Sequence, residues 1–331
     1  MDNLTLKQKI SQMFITGFSG QNFIFNRNFI NLLENGLGGV IFFTQNISSE
    51  KQFRELISNI SEKTLVPLFY SIDQEGGRVE RTEKIHNGKK YLSAKNAYEM
   101  GLSYLQNQTK EIALELKGYG INMNFAPVLD VNTNKDNPII GERAFSSNAD
   151  DVVTGAKVVI KEYEKYGIIT VGKHFPGHGD ASADSHKTLP TIDLSKGEMK
   201  EHLKPFEEAI KIGLPAIMVA HVLYPAFDET NPASISKKII DLLIKEMKFN
   251  GVIITDDMEM NGIKGFTRLE ACIKAINAGI NMFIFRDTTK DIIELIEKLE
   301  KAVIEGIIPE EKIDNSFEKI INLKRQYGII R

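Results

Sequence analysis

Eight short apolar runs, most of them followed by a longer amphipathic stretch, set the strongest limit on what this chain can fold into. They are Met13–Thr16, Gly38–Phe43, Val66–Ile72, Ile121–Phe125, Ile168–Gly172, Ala216–Ala220, Val252–Thr255 and Met282–Phe285. Apolar runs this short, bounded by glycine, proline or charged residues, read as buried strands. The stretches between them place apolar residues at three- and four-residue steps. Ile292, Leu295, Ile296, Leu299 and Val303 form one such face, stopped near Gly306 and Pro309. Residues 95–119 read as one helix ending at Gly118 and Gly120. Eight strands alternating mostly with helices predict an α/β fold, a single-domain (β/α)8 TIM-type barrel over residues 1–331. A doubly wound open sheet is the alternative. No Pro/Gly/Ser-rich linker, low-complexity stretch or sequence repeat divides the chain.

Composition narrows the class further. With 331 residues, 42% hydrophobic and 26% charged, the chain can bury a large core. A net charge of −3 gives no reason to expect nucleic-acid binding. The single cysteine, Cys272, lies in a helical stretch and reads as a small buried hydrophobe, so neither a disulfide nor a cysteine metal cluster is expected. The N-terminal MDNLTLKQKISQMFITGF is interrupted by charges, unlike a signal peptide, and no run of eighteen apolar residues occurs. The expectation is a soluble, cytoplasmic protein with no membrane contact, acting as a monomer.

Ionisable residues collect after the predicted strands. Asp73, Glu75, Arg78 and Arg81 follow the third. Asp130, Glu142 and Arg143 follow the fourth, His221 the sixth, and Asp256 and Asp257 the seventh. After the fifth comes KHFPGHGDASADSH, Lys173–His186, with three of the six histidines. In a parallel barrel all these loops share one mouth. An ionised carboxylate at a strand end can attack an electrophilic carbon, so Asp256 or Asp257 is a candidate nucleophile; capping the next turn is the competing reading. In Asp184-Ser185-His186 the carboxylate can orient the ring and raise its proton affinity, an acid/base dyad; an incidental pair on a surface loop is the competing reading. His174, His178, Asp180, His186 and His221 could be metal ligands, but HFPGH contains Pro176 and Gly177 and cannot be a regular helix, and HExxH is absent. Arg143 and Lys173 read as inward donors suited to sugar hydroxyls and amides.

Taken together, several motifs resemble glycoside hydrolase family 3, and more narrowly its single-domain bacterial β-N-acetylglucosaminidases of cell-wall recycling. They are LTLKQKISQMFITGF, GLGGVIFFTQNI, SIDQEGGRVER, NFAPVLDVN, IIGERAF, VGKHFPGHGDASADSHKTLP and GVIITDDMEM, in order from residue 4 to residue 260. The resemblance implies a retaining glycosidase whose nucleophile is Asp256, with a covalent glycosyl-enzyme released by water. Many members of the family take an acid/base glutamate from a second domain, which is not expected within a chain of this length. The branch it resembles uses a His–Asp dyad, which falls on His186 and Asp184. A histidine does not repel an anionic nucleophile as a second carboxylate would. Asp73, Arg81, Arg143, Lys173 and His174 are implied as ligands of the terminal sugar, and no metal or organic cofactor is implied. Small residues around the loop, Gly177, Gly179, Ala181, Ser182 and Ala183, are expected to let it move over the substrate. One departure stands out. TEKIHNGKKYLSAKNA, after the GGRV motif, is more polar than the family's segment there and is expected to shape the leaving-group side.

The resulting expectation is an exo-β-N-acetylglucosaminidase acting on cell-wall fragments or chito-sugars, a small carbohydrate partner. In the same fold, a β-glucosidase, a β-xylosidase or a phosphate-dependent phosphorylase are rivals. A sugar-binding protein without catalysis is the rival from another class.

Overall fold

A computed structural model of the chain describes residues 4–86, 89–181, 189–260, 263, 265–287 and 290–330. The strands are β1 (Phe14–Thr16), β2 (Gly39–Phe42), β3 (Phe69–Ile72), β4 (Met123–Asn124), β5 (Ile169–Phe175), β6 (Ala216–Val219), β7 (Val252–Asp257) and β8 (Met282–Phe285). Each pairs in parallel with its sequence neighbours, and β8 returns to β1 through Phe14↔Phe283 and Thr16↔Phe285. The sheet therefore closes into an eight-stranded parallel barrel, as the alternation predicts, and the open-sheet alternative falls.

The helices are α1 (Leu6–Gln12), α2 (Arg27–Glu34), α3 (Glu50–Ser61), α4 (Ala94–Glu99), α5 (Leu102–Tyr119), α6 (Ala149–Tyr166), α7 (Met199–Lys211), α8 (Lys237–Asp241), α9 (Arg268–Ala278), α10 (Lys290–Ile304) and α11 (Glu310–Gln326). Their ends follow local chemistry. Thr5 and Thr267 each accept a bond from the third helical N–H, and Gln8 and Glu270 reach back, closing two capping boxes. The single helix expected over 95–119 is broken into α4 and α5 by Gly101. Its φ of 101° is a conformation that favours glycine.

Two strands run further than their apolar runs. β5 continues through Lys173, His174 and Phe175, and β7 through Asp256 and Asp257. Periodicity ends each strand where the apolar residues end. The ladder does not, because the polar side chains at these ends are buried against one another. β4 shrinks in the opposite sense, to two residues, although Ile121 and Phe125 remain buried.

Beneath the barrel, at the strand N-terminal end, α11 inserts Lys324. It is wholly buried, with its Nζ 2.8 Å from Gln12 Oε1 and 4.9 Å from the centre of the Phe69 ring. No carboxylate compensates it among the described residues. Burial alone lowers the pKa of this amine to about 7. The unfolded chain holds this proton up to about pH 10.4 and the folded chain does not. Stability should therefore rise with pH above 7, by at most about 1.4 kcal/mol per unit. Urea unfolding at pH 7, 8 and 9 checks this, and Lys324→Met should flatten the slope. An equal slope in the variant would place its source elsewhere.

Candidate active site

The strands' C-terminal ends open into a cavity of about 570 Å³. Asp73, Arg81, Arg143, Lys173, His174 and Asp256 all line it, with Asp257, Arg286 and the apolar side chains of Phe43, Met218 and Met260. Six of the eight side chains that the resemblance assigns to the site thus meet in one place. The other two, Asp184 and His186, lie outside the described residues.

One wall is an ion-pair knot between β3, β5 and the loop after β4. Lys173, buried at the end of β5, reaches Asp73 Oδ1 at 2.8 Å and Glu75 Oε1 at 2.5 Å. Arg143 clasps Glu75 with Nε at 2.8 Å from Oε2 and Nη2 at 2.9 Å from Oε1. Arg81 Nη2 stands 3.7 Å from Asp73 Oδ2. Burial would raise the pKa of Glu75, but the Arg143 and Lys173 charges and bonds reverse the sign and hold it far below the usual carboxylate range. Glu75 is therefore an internal counter-ion. It leaves Asp73, more open than Glu75, facing the cavity.

His174 is set by a residue that the sequence pattern marked only as polar. Asp130 is fully buried. Its Oδ2 takes His174 Nδ1 at 2.7 Å, and its Oδ1 accepts the backbone N–H groups of His174 and His178 at 3.2 and 2.7 Å. An ionised acceptor at Nδ1 makes that nitrogen the donor, so Nε2 is presented to the cavity side, 3.5 Å from Arg143 Nη2. Burial favours the neutral acid of Asp130, but the two histidines and these bonds keep its pKa below normal. The peptide between Lys173 and His174 is cis, and both side chains line the cavity.

The two adjacent aspartates divide the two readings between them. Asp257 does the turn-capping work, its Oδ1 accepting from the Glu259 N–H at 3.1 Å and its Oδ2 held by Arg286 Nε and Nη2, each at 3.0 Å. Burial raises its pKa. Asp256 is turned the other way, with Oδ1 accepting the Asp257 N–H at 2.8 Å. Burial would raise its pKa too, but the cationic surroundings led by His174, the Asp257 N–H and Lys173 lower it. A carboxylate that stays ionised at the cavity wall is a competent nucleophile.

His221 has a structural post. Its Nε2 lies 3.1 Å from the Asp257 carbonyl, which can only accept, so Nδ1 accepts from the Ser234 hydroxyl at 2.6 Å. No group of three or more His, Cys, Asp or Glu side chains is placed to hold a metal ion among the described residues. Gly177 and Gly179 also differ from expectation. A Cβ on Gly177 would stand 2.8 Å from His202 Cβ, and one on Gly179 only 1.8 Å from the Val131 carbonyl oxygen. These glycines permit close packing of the loop's stem, which is buried through Gly179. The polar segment after the GGRV motif turns inward as well. His86 Nε2 lies 2.8 Å from Glu115 Oε1, and the Tyr91 hydroxyl donates to Glu115 Oε2 at 2.8 Å.

The barrel mouth thus sets an ionised strand-end carboxylate against a wall of charged hydrogen-bonding groups. Known proteins share this chain's pattern. Residues 5–323 match the model of the glycosyl hydrolase family 3 N-terminal domain. The chain is 34% identical over 317 residues to beta-hexosaminidase A of Pseudoalteromonas piscicida, covering 87% of this chain and 53% of that protein. It is 34% identical over 274 residues to the beta-hexosaminidase of Haemophilus influenzae, covering 80% of this chain and 76% of that one. A solved glycoside hydrolase family 3 β-N-acetylglucosaminidase from Paenibacillus superposes with a TM-score of 0.92 at 35% identity, over 98% of this chain and 63% of that chain. The chain belongs to glycosyl hydrolase family 3. It spans about half the length of the Pseudoalteromonas relative and less than two thirds of the Paenibacillus one.

Glu75→Gln should cost about 3–5 kcal/mol of stability, because it leaves the buried Lys173 with Asp73 alone and Arg143 with no carboxylate at ion-pair distance among the described residues. Urea titration at pH 7 measures it. A loss below about 1 kcal/mol would mean that the knot is solvated and not structural.

Proposed function

We propose that the chain is a retaining exo-β-N-acetylglucosaminidase. The observation that carries this reading is the convergence of Asp256 with Asp73, Arg81, Arg143, Lys173 and His174 on one cavity in a family 3 barrel. The relatives' printed names, beta-hexosaminidase and β-N-acetylglucosaminidase, support the acetamido sugar over a plain glucoside.

In this reading the distal hydroxyls of the terminal sugar bond to Asp73, a charged acceptor for two neighbouring donors. Lys173, Arg81 and Arg143 donate to the remaining oxygens of the terminal sugar, and the unprotonated Nε2 of His174 accepts from one of its hydroxyls. Asp256 attacks the anomeric carbon, and the bond to the leaving group breaks. His186, oriented by Asp184, gives its proton to the departing oxygen. A water then enters from the same face, loses its proton to His186, and displaces Asp256 with net retention. A histidine suits this exchange because it changes charge near neutrality and adds no negative charge beside Asp256. A single barrel over 1–331 then holds the whole site, on the loops that follow the strands. No helix among the described residues is long and apolar enough to cross a membrane. We place the reaction in the cytoplasm, on cell-wall fragments or chito-sugars.

The test is hydrolysis of 4-nitrophenyl N-acetyl-β-glucosaminide beside the matching β-glucoside. The acetamido substrate should turn over and the glucoside should not. Asp256→Ala should leave less than about a thousandth of the rate. His186→Ala should slow an alkyl glycoside by about 10²–10⁴-fold, and a 4-nitrophenyl glycoside less, because nitrophenolate departs without a proton. A full rate on the alkyl glycoside would remove His186 from the mechanism. Turnover of the glucoside alone would move the chain to the rival branch.

A further inference from the structure

Asp73 and Arg81 both line the cavity, and they are the two ends of one short loop after β3. The Arg81 side chain is loosely held. Its Nη2 stands 3.7 Å from Asp73 Oδ2, and its Cζ lies 5.8 Å from the centre of the Phe43 ring. Its Nε is buried with no hydrogen-bond partner among the described residues. Where the guanidinium enters the cavity is therefore set by where the Arg81 main chain is held. That main chain is held by Gln74, a wholly buried residue outside the cavity lining. The backbone of Gln74 is bolted to β4. Its N–H donates to Asn124 Oδ1 at 2.9 Å, and its carbonyl accepts from Asn124 Nδ2 at 2.8 Å. Its side chain crosses the loop. Oε1 accepts the Arg81 N–H at 2.8 Å and the Thr82 N–H at 3.3 Å, while Nε2 donates to Glu80 Oε1 at 3.1 Å. The middle of the loop leans on the segment behind it, the Gly77 N–H donating to the Tyr91 carbonyl at 3.0 Å. Gln74 is the side chain that ties the two ends together.

We propose that Gln74 is a positioning residue for the terminal sugar: its side-chain amide holds the Arg81 main chain and so sets the Arg81 guanidinium relative to Asp73. The inference rests on the reading of Asp73 and Arg81 as sugar ligands. A primary amide suits this post because it accepts and donates at once. Its oxygen takes two main-chain N–H groups, and its nitrogen gives to Glu80, a buried carboxylate. A hydrocarbon side chain of the same length leaves all three partners unmet, and the Arg81 end of the loop must move to find others. A displacement of about 1 Å in a group that positions substrate can cost on the order of 10²-fold in rate. Arg81 holds the sugar before and during bond breaking alike, so the loss belongs in KM more than in kcat.

The experiment is a double-mutant cycle between Gln74→Met and Arg81→Ala. Each protein is read for KM and kcat on 4-nitrophenyl N-acetyl-β-glucosaminide, for the dissociation constant of N-acetylglucosamine by NMR titration, and for folding by circular dichroism. Gln74→Met should raise KM and weaken N-acetylglucosamine binding by about tenfold, with kcat within about threefold of wild type. In the Arg81→Ala background the same change should add less than about twofold, because the group it positions is gone. Should Gln74→Met not fold, Gln74→Asn takes its place in the cycle with the same expectation, since its amide stops one carbon short of the Arg81 N–H. Unchanged KM and binding in the folded Gln74 variant overturn the inference. So does a loss as large without the Arg81 side chain as with it, which marks general damage to the loop; both outcomes spare the glycosidase reading. If wild type binds N-acetylglucosamine but hydrolyses nothing, the glycosidase reading fails and the cycle is decided on binding. If it neither binds nor hydrolyses, the inference fails too.

Discussion

The buried Glu75 carboxylate holds the barrel mouth together. It sits between Lys173 from β5 and Arg143 from the loop after β4, while itself following β3. None of the three charges could remain at this depth alone, because an isolated ion taken out of water costs several kcal/mol. Together they compensate one another and pin three successive segments of the barrel rim. The consequence for chemistry is indirect. With Glu75 absorbing Arg143 and part of Lys173, Asp73 keeps an outward face, and Lys173 adds to the field, led by His174, that lowers the pKa of Asp256. Structure and reactivity draw on the same charges.

A second constraint is the division of labour between neighbours. Asp256 and Asp257 are covalently adjacent, yet their pKa values move in opposite directions. Both are largely desolvated, and that alone would raise both. What separates them is direction. Along a strand end, successive side chains leave on opposite sides, so one meets the cationic wall and the other meets a turn and Arg286. Histidines divide in the same manner. His174 shows its Nε2 to the cavity because Asp130 claims its Nδ1, whereas both nitrogens of His221 are spent on Ser234 and a backbone carbonyl. Chemistry here is assigned by the partner that each polar atom finds.

The polar segment after the GGRV motif divides between solvent and interior. Glu83, Lys84, Lys89 and Lys90 are exposed. His86 is buried against Glu115, with Tyr91 on the same carboxylate. Burial acts against a charged imidazole, but the carboxylates beside it, Glu115 first, raise its pKa. Polar residues turned toward each other build interior as well as apolar ones do, provided each finds its partner. The cation that does open toward the mouth, Arg286, lies in a β8 loop where no motif drew the eye.

Fold class was legible from the chain because a local pattern dictates it. Eight apolar runs with amphipathic stretches between them bury their surfaces economically in a parallel barrel, and such a barrel brings the strand-end polar residues to one mouth. That pooling marks a wide set of strand-end residues, and the family resemblance picks Asp73, Arg81, Arg143, Lys173, His174 and Asp256 out of it. Strand lengths and internal partners could not. The extension of β5 through Lys173 and of β7 through Asp257, the role of Glu75 as counter-ion and of Asp130 as orienter, and the tight packing of Gly177 and Gly179 depend on groups 40 or more residues away in sequence in most cases. A single chain of letters states each residue's own chemistry. Only the folded structure states which charge stands beside which, and in a low-dielectric interior that neighbour decides ionisation, tautomer and task.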